Sequence, residues 1–295
     1  MPSTMTRTCV VLGVVVALVG AVTPMAFGIH LQLMGLAQAA AGSALLVGCS
    51  ALALNGSRPV PMSTRRAVPA VLATSAANAI TPAGIGGTLL ILRVHRRSGL
   101  TTEQAAAAAA LRTAFGAGAA MLVTALVASQ VGFTAMPSSH TALEVALAAA
   151  ALLLITALAM PVTRRRAALE VVRVSAAVFD VLRRPRCFIS LAVGCLGVTA
   201  AQLITLQGAV HAVGGRIGWE QLLVALLGSA AARSALPLPG GVGPIEAALI
   251  GGLTALGMTW EAAASAVAVY RTAGHWLPVL AGAISIRELR RRHLI

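Results

Sequence analysis

The sequence predicts an all-α polytopic membrane protein: an inverted-topology repeat with six spanning helices and two re-entrant helical hairpins. Three observations predict it. Hydrophobic residues make up 58% of the 295 and only 10% are charged, with a mean hydropathy of +0.89; a soluble domain of this length needs far more polar surface. Proline-glycine breaks interrupt two membrane-length apolar stretches, at Thr81-Pro82-Ala83-Gly84-Ile85-Gly86-Gly87 and at Leu238-Pro239-Gly240-Gly241-Val242-Gly243-Pro244. Each break is followed by the same signature, Gly99, Glu103 and Leu111-Arg112-Thr113 in the first case, Gly257, Glu261 and Tyr270-Arg271-Thr272 in the second. Broken apolar segments at matching positions of two halves are the sequence mark of a transporter's binding site.

The elements follow in order. The apolar stretch 8–28 exceeds the hydrophobic core of a secretory signal and is followed at once by another, so it is expected as a retained first span. Further spans are expected at 30–54, 103–130, 138–160, 187–212 and 261–286, each near the about 20 residues that cross a bilayer core. The broken regions 67–97 and 219–257 have arms too short to cross, and are expected as hairpins. Repeat one thus covers 30–130 and repeat two 187–286, within one membrane domain spanning 1–295. The stretch 162–186 between them reads as an amphipathic helix on the cytoplasmic surface, with Arg166, Glu170, Arg173, Asp180 and Arg184 on one stripe. A solvated basic linker fits that stretch equally well.

Charge placement sets the topology. The formal net charge is +14 and all 22 basic residues are Arg. Clusters at 58–66, 93–97, 164–186 and 287–292 fall on one side with Arg7 only if both broken regions turn back, leaving Arg216 opposite. The positive-inside rule makes that side cytoplasmic, with both termini there. The first hairpin then enters from the cytoplasm and the second from outside, so the repeats are inverted. The basic balance is topological and implies no nucleic acid. The four cysteines, Cys9, Cys49, Cys187 and Cys195, lie in or beside apolar segments without metal-ligand spacing, and no cofactor is expected.

Arg112, Arg233 and Arg271 are expected at membrane depth, where a charge costs at least ~2.5 kcal/mol and calls for an anionic partner. That partner is either a ligand or a carboxylate such as Glu103, Glu246 or Glu261. Past each break a helix restarts with unpaired N–H groups and a positive dipole end, an arrangement suited to phosphate. The backbone N–H groups of Gly84, Gly86, Gly240, Gly241 and Gly243 are therefore expected to hold a headgroup phosphate, with the three arginines supplying charge. Glu246, third in the helix that Pro244 opens, suits either a cap or a pairing with Arg271. Met136-Pro137-Ser138-Ser139-His140-Thr141 is similar to a lipid-phosphatase signature, but the Lys and second His of that chemistry are missing, so an enzyme is not expected. Ser138 and Ser139 read as helix caps, and His140 with Glu144, one turn apart, as a structural pair or a proton relay.

The segment Leu236-Pro237-Leu238-Pro239-Gly240-Gly241-Val242-Gly243-Pro244-Ile245-Glu246, followed by Gly257, Tyr270-Arg271-Thr272 and Trp276-Leu277-Pro278, resembles the lysylphosphatidylglycerol synthase transmembrane-region family. That family includes the flippase domain of the multiple-peptide-resistance factor and stand-alone relatives. Its PGGxGxxE motif falls on Pro239, Gly240, Gly241, Gly243 and Glu246, and its Tyr-Arg pair on Tyr270 and Arg271. In the first break Asn78 and Pro82 match, whereas Gly84 and Gly87 stand where many members have Arg and Glu. The resemblance implies a multi-pass bacterial plasma-membrane protein that moves a phospholipid or polyprenyl-linked lipid between leaflets. The soluble aminoacyl-transfer domain of full-length synthases is expected to be absent. Expected partners are membrane lipids with an anionic or phosphate headgroup, and beyond them a second copy of the chain or a separate synthase. The competing expectation is a non-transporting subunit that docks a synthase or envelope protein through 162–186 and the Arg-rich 287–293.

Overall fold

In the computed structural model, residues 22–81, 85–131, 176, 178–236 and 238–291 are described. The expected first span up to residue 21, the span at 138–160, most of the 162–186 linker, Pro82 and Gly84 lie outside them. All the described elements are helical: α1 (Leu33–Gly56), α2 (Thr64–Ala79), α3 (Ile85–Arg97), α4 (Thr102–Val131), α5 (Pro185–Ala212), α6 (Trp219–Ala235), a 3-10 turn (Pro239–Gly241), α7 (Pro244–Ala255), α8 (Trp260–Arg271), a π turn (Thr272–Trp276) and α9 (Leu277–Arg291).

Local chemistry explains where these helices start and stop. Thr101 and Gln104 cap α4 reciprocally, the Thr101 N–H donating to Gln104 Oε1 (3.1 Å) and the Gln104 N–H to Thr101 Oγ1 (3.3 Å). Thr259 caps α8 by accepting the Ala262 N–H. Glu103 and Glu261 sit in the first turns of α4 and α8, where carboxylates complement the helix dipole. The region 261–286, expected as one span, is α8, the π turn and α9 in succession. The Leu277 N–H donates back to the Thr272 carbonyl, an i to i−5 bond that widens the helix by one residue.

Among the described residues, α1 and α5 are long and apolar enough to cross a membrane on their own, with mean hydropathies of 1.6 and 2.0. They pack along each other, and glycine makes the close approach available. A Cβ on Gly42 would lie 2.5 Å from Thr205 Oγ1, one on Gly35 would strike Ala212, and one on Gly56 would strike Leu191. From the other side, Gly194 abuts Ala53 and Gly208 abuts Ala39. Residues rising along α1 meet residues falling along α5, so the two helices are antiparallel. Outward, Leu33, Met34, Leu45 and Leu52 of α1 and Phe188, Ile189 and Val193 of α5 are exposed, an apolar exterior suited to lipid.

The short helices pack around this pair. Leu222, Leu226, Leu249, Leu253 and Val267 form one core joining α6, α7 and α8 to α5. Val71, Ile91 and Val94 join α2 and α3 to the end of α1. Trp276 and α9 close on α2, where Gly282 lies against the Leu72 carbonyl. The two interruptions meet: a Cβ on Gly240 would come within 3.4 Å of the Ala79 carbonyl oxygen at the end of α2. Arg58, counted among the surface arginines of the sequence, is buried at 2% exposure beneath the chain that links α1 to α2.

Candidate functional site

Between the two interruptions lies a cavity of about 690 Å³. Asn78 and Thr81 from the end of α2, Gly87 and Thr88 from α3, Arg112 and Thr113 from α4, Arg233 from α6, Gly240 and Gly241 from the 3-10 turn, and Arg271 with His275 line it. A second cavity of about 370 Å³, reaching between α1, α4, α5 and α6, shares Arg112, Arg233, Arg271 and His275 with the first. The arginines thus stand where the two cavities adjoin. Tyr270 lines the second cavity and packs between two apolar clusters.

The three arginines are not equivalent. Arg271 is 6% exposed and held through two of its three nitrogens. Its Nε donates to Glu246 Oε1 at 2.6 Å, its Nη2 donates to the Gly240 carbonyl at 2.9 Å, and its guanidinium lies 6.0 Å from the Trp276 ring centroid. Glu246 Oε2 accepts the Gly243 N–H at 2.7 Å, so one carboxylate both caps α7 and holds Arg271. The two roles left open for Glu246 by the sequence are filled together. Arg271 therefore ties the end of α8 to the second interruption. Arg112 and Arg233, by contrast, have no ion-pair or hydrogen-bond partner for their guanidinium groups among the described residues.

The glycines differ from expectation. The Gly86 N–H donates to Thr81 Oγ1 (2.9 Å) and the Gly87 N–H to Asn78 Oδ1 (2.8 Å), so side chains from α2 reach across and cap α3. Gly86 does not line the cavity, and neither does Gly243. The Gly241 N–H donates to the Leu238 carbonyl, and the Gly243 N–H is taken by Glu246. The free N–H groups that the helix starts were expected to offer are thus satisfied internally at Gly86, Gly241 and Gly243. The reason is physical: unpaired donors at a buried helix start are costly, and nearby side-chain oxygens supply the cheaper partner. Gly240 and Gly241 instead serve conformation, both at φ +64°. Of the sequence candidates, Asn78, Arg112, Arg233, Gly240, Gly241 and Arg271 converge on the first cavity.

Sequence reasoning missed His275. It follows Arg271 by one helical turn, lines both cavities, and its Nε2 is buried without a hydrogen-bond partner. Thr272 Oγ1, the counterpart of Thr113 in the repeated Arg-Thr signature, is also buried and unpartnered. A buried ionisable residue one turn beyond Arg271 was the available signal.

The family described as the lysylphosphatidylglycerol synthase TM region matches residues 7–282 of the chain. No curated protein matches it.

Proposed function

The chain belongs to the lysylphosphatidylglycerol synthase transmembrane-region family, and on that premise we propose that it moves a phosphate-bearing lipid between the leaflets of a bacterial plasma membrane. The lipid is a phospholipid or a polyprenyl-linked relative, and the protein performs no covalent chemistry on it. The observation that carries this reading is the pair of arginines, Arg112 and Arg233, that line both cavities without a counter-ion among the described residues. Among the described residues, three arginines against the carboxylate of Glu246 leave the site cationic, and a cation held in a membrane interior calls for an anionic ligand. A phosphate between the two guanidinium groups supplies it, with Arg271 fixing the wall on which it rests.

The chain order supports a two-sided path. A long helix, two short helices and a long helical region occur twice, as α1 to α4 and again as α5 to α9. The leading helices of the two sets, α1 and α5, run antiparallel, as inverted halves require. In this reading α2/α3 enters from the cytoplasm and α6/α7 from outside, six spans surround them, and both termini are cytoplasmic. Relative motion of the halves opens the arginine site to each leaflet in turn.

The test uses purified protein in liposomes carrying acyl-chain-labelled fluorescent phosphatidylglycerol or a labelled polyprenyl phosphate, with dithionite bleaching the outer leaflet. Wild type is expected to bleach well beyond the outer-leaflet half, and folded Arg112→Gln and Arg233→Gln to stop near it. Bleaching that stops at the outer leaflet for every lipid with wild type sinks the reading and leaves a docking subunit.

A further inference from the structure

We propose that the cavity selects an anionic lipid whose headgroup, beyond the phosphate, carries hydroxyl groups and no ammonium, so that an aminoacylated headgroup is disfavoured. This rests on the phosphate-lipid reading above and narrows it to a substrate class.

The charge of the lining excludes one chemistry. Among the described residues that line the two cavities there is no Asp or Glu, and the neighbouring carboxylate, Glu246, is already shared between Arg271 and the α7 cap. An ammonium group entering beside Arg112 and Arg233 would find repulsion and, among the described residues, no free anion to pair with. A headgroup that carries a lysyl ester brings two such groups.

The hydroxyls of the lining select another. Thr74 Oγ1 donates its proton to the Ala70 carbonyl (2.8 Å), Ser75 Oγ to Val71 (3.4 Å), and Thr113 Oγ1 to Ala109 (3.0 Å). Each hydroxyl spends its one hydrogen on its own helix, so only oxygen lone pairs remain for the cavity. This wall therefore offers acceptors, and its match is a neutral donor, an O–H. One turn along α2 from Thr74, Asn78 has Oδ1 fixed by the Gly87 N–H, which leaves the Nδ2 donors for a phosphate or ester oxygen. Donors for the phosphate and acceptors for a polyol thus line one space of about 690 Å³, which admits a glycerol headgroup with room to spare.

The test compares rates for four labelled lipids of equal acyl chains in the dithionite assay: phosphatidylglycerol, phosphatidic acid, phosphatidylethanolamine and lysylphosphatidylglycerol. Phosphatidylglycerol is expected to move at least about tenfold faster than either amine-bearing lipid. In Ser75→Ala/Thr113→Val its advantage over phosphatidic acid is expected to shrink about three- to tenfold, while phosphatidic acid keeps its rate. An equal loss for both lipids would mark a structural defect and overturn the hydroxyl assignment. Lysylphosphatidylglycerol moving as fast as phosphatidylglycerol overturns the proposal while leaving lipid transport standing. Calorimetric titration of detergent-solubilised protein with dihexanoyl-phosphatidylglycerol, dihexanoyl-phosphatidylethanolamine and glycerol 3-phosphate gives a second readout. Tighter binding of the first than of the second, without any transport, rejects the function proposed above and upholds the headgroup chemistry. Equal binding of the two rejects that chemistry. Glycerol 3-phosphate binding as tightly as the short-chain lipid assigns the site to a soluble polyol phosphate.

Discussion

Replacing Glu246 by Gln tests whether one carboxylate holds the second interruption in shape. Its two oxygens serve two donors, Arg271 Nε at 2.6 Å and the Gly243 N–H at 2.7 Å. Glutamine keeps one oxygen and turns an NH2 group toward the other donor, so one bond becomes a donor facing a donor. Truncating a sealed ion pair costs about 3–5 kcal/mol. Here the two side chains are 7% and 29% exposed, and Arg271 keeps its bond to the Gly240 carbonyl, so the expected loss falls to about 2–3 kcal/mol. Reversible unfolding of the micelle-bound protein by SDS, followed by circular dichroism, measures it for Glu246→Gln, Arg271→Gln and the double variant. The pair is expected to show a coupling energy of roughly 1.5–3 kcal/mol. Additivity within about 0.5 kcal/mol would refute the claim that Arg271 and Glu246 act as a unit.

Arg112→Met is expected to leave unfolding free energy unchanged or raise it by about 1 kcal/mol in the same SDS titration, because the arginine has no partner to lose among the described residues. A loss above about 2 kcal/mol would mean it holds the fold together. Gly42→Val is expected to destabilise by about 1–3 kcal/mol or more, since Thr205 occupies the space a Cβ needs. Gly48→Ala on the same helix, with nothing within 4 Å, is expected to be neutral or to gain up to about 1 kcal/mol; equal effects would refute the close approach of α1 and α5. Asn78→Asp keeps an oxygen for the Gly87 N–H and adds a negative charge to the cavity. Stability is expected to hold within about 1 kcal/mol while transport of an anionic lipid falls about tenfold, and unchanged transport would count against an anion resting there.

Much of this was readable because proline and glycine act locally. The interruptions near Pro82 and Pro239 follow from backbone chemistry that needs no tertiary partner, and helices do end at Ala79 and Ala235 and restart at Ile85 and Pro244. The Arg271 and Glu246 partnership was visible as one of two alternatives, since a buried arginine needs an anion and few carboxylates exist. The capping of α3 by Asn78 and Thr81 was not legible. Their oxygens reach Gly87 and Gly86 across a turn whose shape the residue pattern does not encode. The π turn at Thr272–Trp276 carries no composition signal of its own, which hid the position of His275. The α1 and α5 seam had a signal that went unread: Gly35, Gly42, Cys49 and Gly56 recur every seventh residue, and Gly194, Ala201 and Gly208 do the same. A small residue at each seventh position is what lets two helix backbones touch over their length.

That seam also constrains how the chain is born. The glycine face of α1 has its partner in α5, and the rest of the first half is synthesised between Gly56 and Pro185. At about 5–20 residues per second, the wait is on the order of ten seconds. During it, α1 sits in the membrane with a row of bare backbone facing whatever is near. The first half alone is therefore an unfinished object, open to the wrong neighbour until the second half threads in beside it. A chain split before α5 is expected to regain its shape only when both pieces are made together.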